Sequence, residues 1–380
     1  MRIGIEITPL TATRTGVGNY VYWLLKHLLL ETSDMRFHAF SSGLHRPDVR
    51  VAGGVAAEAP FPLLAGHRRI GLPTRLLYQV WNVSGRPRVD TLLGGVDIFH
   101  ATNYFLPPVR RARRVLTVYD LSFLRHPELC SPRIVGPFSR HVRRFARAAD
   151  AVLTCSEASR RDIVELLDIA EDRVTVAHGA VDDNFVPMER DKALALLQRT
   201  YDVRPPFFLF VGTLEPRKNV DGILRAFAMA SRDMPHALVL VGETGWNAAE
   251  IEALAAPLIA AGRVIRPGYV PPCDLRAFYG GASVFIFPSR YEGFGLPILE
   301  AMACGCPVIC SKRGSLPEVA GDAAVYVAPE DPAAIADAMR RVAGDAALAA
   351  DLTEKGRVRA AAFSWRRSAQ TVLSLYRRLG

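Results

Sequence analysis

The chain reads as an α/β protein, a doubly wound parallel sheet in each of two domains. Length is the first reason, because 380 residues exceed what one hydrophobic core comfortably organises. The second is the alternation of short apolar runs with helical stripes, which gives four βα units in the second half alone. The third is where polarity falls. Several strand-like runs end in polar residues, and ligands of open parallel sheets bind at strand carboxyl ends. A connection containing Pro187, Pro205 and Pro206 separates the halves, giving domains 1–187 and 188–363.

From the amino end, Arg2–Ile7 is a strand. It leads into Thr15-Gly16-Val17-Gly18-Asn19-Tyr20 and a helix with Val21, Leu24, Leu25 and Leu28 on one stripe. The glycine-bearing turn is either a phosphate-approach loop or simply a tight turn. The dinucleotide fingerprint G-x-G-x-x-G is incomplete, since position 21 is Val, and no acidic residue follows a clear second strand. Both points argue against a nicotinamide dehydrogenase. Residues 43–95, rich in Gly, Pro and Arg, read as loops and a helix around Leu72–Val83. Strands follow at Val96–Phe99, Val115–Val118 and Ala151–Leu153. They end in His100 with Thr102 and Asn103, in Tyr119 with Asp120, and in Thr154 with Ser156. These are site candidates, although a lone His after a strand is also a common structural residue. Val174–Val176 and His178-Gly179-Ala180-Val181-Asp182 close the half.

The second half has cleaner punctuation. Phe207–Val211 is a strand, Gly212–Asn219 its loop and Val220–Ala230 its helix. Ala237–Val241, Val264-Ile265, Ala282–Phe287 and Val308–Cys310 are further strands. Helices follow at 332–343 and 346–362. Ser364 caps a last helix, 365–379, with Val372, Leu375, Tyr376 and Leu379 on one face.

Ser289-Arg290-Tyr291-Glu292-Gly293-Phe294-Gly295-Leu296-Pro297-Ile298-Leu299-Glu300 joins one of these strands to a helix. Pro297 suits a first helical turn, and Gly305 and Pro307 stop the helix. A strand, a glycine turn and a helix N-terminus together make a place for an anion. Glu292 and Glu300, eight residues apart, suit sugar or ribose hydroxyls instead. A phosphate cradle flanked by carboxylates suggests a nucleotide sugar; two solvated glutamates on a surface loop is the plainer alternative. Arg217 and Lys218 follow a strand and a proline. A guanidinium fork beside a point charge suits a diphosphate, whose developing charge they would stabilise.

At 50% hydrophobic and 22% charged, the composition suits a globular protein. Formal charge is +9, and residues 110–147 hold ten Arg against Asp120 and Glu128. Along Phe138–Ala149, Arg140, Arg143, Arg144 and Arg147 alternate with Val142, Phe145 and Ala146 at helical spacing. That is a solvated face or a surface for an anionic membrane or phosphorylated lipid. No aromatic-interleaved basic motif points to nucleic acid. No apolar run is long enough for a membrane helix, and Met1–Ile7 lacks the apolar core of a signal peptide. Cys130, Cys155, Cys273, Cys304, Cys306 and Cys310 form no C-x-x-C pair. A reducing cytoplasm without a metal centre is expected, with the inner face of the cell membrane as a peripheral location.

Glu292 and Glu300 also form the E-x7-E pattern, and the surrounding motifs resemble the retaining glycosyltransferases of family 4 over nearly the whole chain. The matching pieces are Gly16-Val17-Gly18, Phe99–Asn103, Thr117–Leu121, His178–Asp182, Gly212–Asn219, Gly242–Trp246, Gly268-Tyr269-Val270, Glu292–Glu300, Ser311 with Gly314, and Leu316-Pro317-Glu318. The resemblance implies the GT-B fold, two Rossmann-like domains facing a cleft, with the last helix (364–380) crossing back to the first. It implies that Arg217 and Lys218 hold the donor diphosphate, Gly212 flanks it, and Gly268, Tyr269 and Val270 lie by the base. Glu300 would bond the ribose and Glu292 the sugar hydroxyls, with Phe294, Gly295 and Leu296 cupping sugar and phosphate. Gly16 and Gly18 would approach from the first domain. Many relatives carry His at the position of Tyr119. A tyrosine can donate a hydrogen bond but is no cation at neutral pH, so Asp120 or His100 is expected to carry more of the first-domain chemistry. The reaction implied is metal-independent, needs no cofactor and retains configuration. Same-face attack is favoured over double displacement, for which Asp120 is the one first-domain carboxylate to nominate. Gly212–Asn219, Gly242–Trp246 and Leu121–Glu128 look most like bacterial mannosyltransferases of surface polysaccharide assembly. GDP-mannose is then the expected donor and a glycan or lipid-linked saccharide the acceptor. A nucleotide-sugar isomerase and a non-catalytic donor-binding subunit are the alternatives.

Overall fold

The computed structural model describes residues 1–11, 16–44 and 63–380. The chain forms two compact units, Met1–Leu124 with Arg133–Gly179 and Ser364–Gly380, and Arg125–Pro132 with Ala180–Phe363. Each is α/β.

Seven described strands build the first sheet: β1 Arg2–Glu6, β2 Arg36–Ser42, β3 Gly66–Ile70, β4 Ile98–Ala101, β5 Arg113–Thr117, β6 Ala151–Thr154 and β7 Val174–Val176. Their order is β3-β2-β1-β4-β5-β6-β7, and every pairing is parallel. The order reverses between β1 and β4. Five strands coincide with or overlap runs read from the sequence. The other two, β2 and β3, lie where loops were expected or where no element was assigned. Edge strand β3 is Gly-His-Arg-Arg-Ile with a largely exposed face, the charged edge that prevents sheet-to-sheet pairing and gives no apolar signal. The helix expected around Leu72–Val83 is Thr74–Ser84.

Helix Gly16–Leu30 buries Val21, Leu24, Leu25 and Leu28 as its stripe predicts. Tyr20, Tyr22 and Trp23 are buried too, because the final helix, Trp365–Leu379, covers its other side. Tyr20 meets Trp365 edge to face at 5.3 Å. Ser364 does stand at the N-cap of that last helix, but its side chain makes no capping bond. Its carbonyl accepts the Ser368 N–H instead.

His100 is the buried link between that helix and the sheet. It is fully enclosed, with Nδ1 2.6 Å from the Tyr376 hydroxyl and Nε2 2.7 Å from Thr117 Oγ1. Both ring nitrogens are thus taken, leaving no face for a substrate. The expectation that His100 shares in catalysis gives way to a structural role.

The second sheet contains β8 Phe207–Val211, β9 Ala237–Val241, β10 Val264–Gly268, β11 Val284–Phe287, β12 Val308–Ser311 and β13 Ala324–Val327. Their order is β10-β9-β8-β11-β12-β13, again all parallel, with the reversal between β8 and β11. Phe208, Phe210, Phe285 and Phe287 are wholly buried, as strands covered on both faces require. Strand β13, the helices Ala249–Ala260 and Pro272–Gly281 and the short helix Leu316–Ala320 have no counterpart in the sequence reading. The unit boundary falls after Gly179, eight residues before the expected 187. Phe185 explains the shift, since its ring packs on Tyr279 of the second unit at 6.0 Å.

Burial depresses the His100 pKa from 6.5 to about 3. The unfolded chain binds a proton there below pH 6.5 and the fold does not until about 3, so acid removes stability across that window. Urea midpoints of wild type should therefore fall more steeply from pH 7 to pH 5 than those of His100→Asn, with a limiting difference of about 1.4 kcal/mol per pH unit. Equal pH slopes would contradict the buried neutral imidazole.

Candidate active site

Where strand order reverses in an open sheet, the flanking loops diverge and leave a crevice at the carboxyl ends. In the second unit those are the loops after β8 and β11. The first carries Glu215, Arg217 and Lys218; the second is the Ser289–Gly295 turn. The fold brings them into one ion network. Arg217 donates from Nη1 to Glu292 Oε2 at 2.9 Å and to the Tyr291 carbonyl at 3.1 Å, and from Nη2 to Glu215 Oε1 at 2.8 Å. Lys218 Nζ donates to Glu292 Oε1 at 2.6 Å and sits 4.9 Å from the Phe287 ring centroid. Each Glu292 oxygen therefore serves one cation, and the four charges cancel formally.

Several anchors hold the two loops in register. Asn219 Nδ2 donates to the carbonyls of Pro288 (3.1 Å) and Pro329 (2.7 Å). Arg290 N–H donates to the Arg217 carbonyl, and its guanidinium forks onto both Asp221 oxygens at 3.0 and 2.7 Å. Ser311 Oγ, at the end of β12, donates to the Ser289 carbonyl, and Ser315 Oγ, in the loop that follows, donates to that of Phe294. Gly295, at φ +109°, ends the turn and caps helix Leu296–Ala303, a conformation that strains any side chain. On the far side, Gly242 lies so close to Gly212 that a Cβ would come within 2.1 Å of its carbonyl oxygen. The loops after β8 and β9 zip together only because that position is glycine.

Burial sets the electrostatics. It raises the Glu292 pKa, but Arg217 and Lys218 outweigh it and hold the carboxyl below its ordinary value. Burial lowers the Lys218 pKa, with Glu292 opposing. Glu300 lies one turn into its helix, half-buried, and accepts the Tyr279 hydroxyl at 2.9 Å. Burial pushes its pKa up to about 7; the Tyr279 bond lowers it and Asp182 raises it. Tyr269 is half exposed at the end of β10, and Val270 beside it is buried. Phe294 turns its ring inward onto Phe363 at 5.8 Å. Leu296 opens the helix, and Gly212 and Gly268 end β8 and β10 with positive φ.

In the first unit, Tyr119 is buried and donates its hydroxyl to the Thr102 carbonyl at 2.7 Å. Asp120 Oδ1 accepts from Ser122 N and Oγ at 2.9 and 2.7 Å, so it starts the short helix Ser122–Arg125. Gly16 and Gly18 stand in the first turn of helix Gly16–Leu30, not in a loop; Thr15 before them lies outside the described residues. Arg140, Arg143, Arg144 and Arg147 are exposed on helix Pro132–Ala148, whose Val142, Phe145 and Ala146 are buried. Three of these arginines have partners: the Leu166 carbonyl for Arg143, Asn82 for Arg144 and Asp168 for Arg147. Two carboxyls and a phenol carry no sequence signal for their roles. They are Glu215, Tyr279 and Glu6, the last wholly buried at the end of β1 with its pKa pushed by burial up to about 7. Among the described residues no cluster of three or more His, Cys, Asp or Glu is arranged to hold a metal ion. A cavity of about 930 Å³ lies at the amino ends of β1, β4 and β5, the opposite end of the sheet from where such folds bind ligands.

The family model described as Glycosyltransferase Family 4 matches residues 14–185, and that described as Glycosyl transferases group 1 matches 198–359. O-antigen chain mannosyltransferase B of Escherichia coli is 33% identical over 390 aligned positions, spanning all of both chains. The chain belongs to glycosyltransferase family 4. A D-inositol 3-phosphate glycosyltransferase of Acidothermus cellulolyticus is 31% identical, over 75% of this chain and 67% of that one. Among solved structures, sucrose-phosphate synthase from Thermosynechococcus elongatus superposes with a TM-score of 0.77 at 22% identity, covering 100% of this chain and 98% of that one. A glycosyltransferase from Rickettsia africae ESF-5 gives 0.71 at 17% identity, with coverage of 100% and 98%. These two likenesses concern the fold, the pair of Rossmann-like domains termed GT-B. As a hexosyltransferase of this family, the chain carries its densest charge network at the sheet reversal of the second unit.

In this glycosyltransferase Tyr279→Phe removes the phenol that donates to Glu300 and should raise that carboxyl's pKa further above its ordinary value. Carbon-13 NMR titration of the Glu300 carboxyl would read it. An unchanged or lower pKa would refute the coupling.

Proposed function

We propose that the chain is a retaining mannosyltransferase that moves mannose from GDP-mannose to a glycan or lipid-linked saccharide. The observation that carries this reading is the network of Arg217, Lys218 and Glu292 at the β8/β11 reversal. The relative named O-antigen chain mannosyltransferase B supports the sugar. A donor diphosphate competes with Glu292 for the two cations. Arg217 keeps Glu215 as its anchor while it turns a fork toward phosphate oxygens. Glu292, released, accepts from hydroxyls of the donor sugar, and Glu300 accepts from the ribose. Tyr269 and Val270 flank the base, and the Phe294–Leu296 backbone with the helix N-terminus faces the phosphate.

Transfer proceeds by same-face attack. The acceptor oxygen bonds to the anomeric carbon as the bond from that carbon to the phosphate oxygen breaks. The acceptor's proton passes to the departing phosphate, and GDP leaves. Arg217 and Lys218 stabilise the charge that grows on the diphosphate, the largest catalytic contribution in such sites. No metal or cofactor enters this scheme. The exposed arginines of helix Pro132–Ala148 support peripheral contact with an anionic membrane surface, where a lipid-linked acceptor would reside.

Donor turnover measured across GDP-, UDP- and dTDP-sugars, with and without acceptor, tests the reading. Lys218→Ala and Glu292→Gln should each lower kcat at least tenfold on the accepted donor, about 1.4 kcal/mol or more. Near-normal turnover in both variants would reject the assigned roles, and conversion of donor without transfer or hydrolysis would indicate an isomerase.

A further inference from the structure

Arg125–Pro132 interrupts the first unit in sequence yet packs with the second. Within it, Pro127–Leu129 form a single 3-10 turn that His126 precedes. The His126 carbonyl accepts the Leu129 N–H at 3.0 Å, and the following proline restricts its backbone. Glu128 Oε1 lies 3.4 Å from His126 Nδ1. The imidazole so fixed sets its ring against that of Tyr291, centroid to centroid 5.5 Å, tilted 55°. Tyr291 is itself buried, immediately precedes Glu292, and offers its carbonyl to Arg217 Nη1. One side chain from the first half of the chain thus braces the backbone on which the donor-site ion network hangs.

We infer that His126 is a positioning residue for the donor site, acting through ring packing on Tyr291 and thereby on Arg217 and Glu292. Loss of the ring lets the Tyr291–Glu292 backbone shift. Charge stabilisation by fixed groups is more sensitive to such a shift in the transition state than in the ground state, so the effect falls on kcat. The histidine contributes shape here, and phenylalanine supplies the same shape.

This inference rests on the donor site proposed above, and the experiment separates the two. On the donor that the sugar-nucleotide panel identifies, kcat and donor KM are measured for His126→Ala, His126→Phe, Tyr291→Ala and the double alanine variant. Lys218→Ala is run in parallel, and circular dichroism melts verify folding. His126→Ala should lower kcat about tenfold with donor KM nearly unchanged, and His126→Phe should restore most of it. The double variant should be about as slow as the worse single one, since coupled neighbours are not additive. Additive losses, an unimpaired His126→Ala, or a folded His126→Phe as slow as His126→Ala would each overturn the ring-packing role. If Lys218→Ala also turned over normally, the donor-site reading itself would fall; if Lys218→Ala alone failed, only the inference about His126 would.

Discussion

Two cations and a carboxylate are held out of bulk water at one point of the second sheet, and much of that unit is arranged to hold them there. Moving an ion into a protein interior costs several kcal/mol even after relaxation, so a buried ion pair is poor evidence of stabilisation. Its upkeep is visible in the anchors around it. Asn219 ties the loop after β8 to Pro288 and Pro329, Arg290 forks onto Asp221, and Ser311 and Ser315 pin the turn after β11. Such groups fix positions more than they add stability. The strand order explains the location, because only between β8 and β11 do neighbouring loops part.

The paired state also solves a storage problem. Arg217 and Lys218 side by side, desolvated and unbalanced, would repel each other; Glu292 and Glu215 balance them. In the proposed reaction a diphosphate would offer the cations the same charge in a better fork geometry, and Glu292, the counter-ion here, would be freed for sugar hydroxyls. Glu300 has a different environment. Among the described residues its oxygen meets a phenol and no cation, and its pKa stands near 7 where that of Glu292 is depressed. Two carboxyls eight residues apart are tuned in opposite directions by what the fold puts beside them.

How much of this was legible in the sequence depended on where the signal lay. Phe207–Val211 and Ala237–Val241 are uniformly apolar and punctuated by glycine, and their observed bounds equal those read from the sequence. Arg217, Lys218, Glu292 and Glu300 were visible as charges beside glycine and proline. Their mutual pairing was not, because it depends on strand order, which periodicity does not encode. Charged β3 was read among loops for want of an apolar run, whereas β13, apolar but only four residues long, was assigned no element. His100 misled for a local reason. A polar residue after a strand is equally a ligand group or a core clasp, and only the distant Tyr376 decides between them. Tyr119, read from the sequence as a donor-site contact, donates its hydroxyl to the Thr102 carbonyl. Glu6 gave no warning, a single acid at a strand end that the fold encloses completely.

On the proposed mechanism a donor diphosphate replaces Glu292 on Arg217 and Lys218. A crystal structure with GDP bound tests it most directly. Diphosphate oxygens within hydrogen-bond distance of both cations, with the Glu292 carboxylate turned from them, is the predicted arrangement. GDP bound elsewhere on the chain, with Glu292 still bridging Arg217 and Lys218, would contradict it.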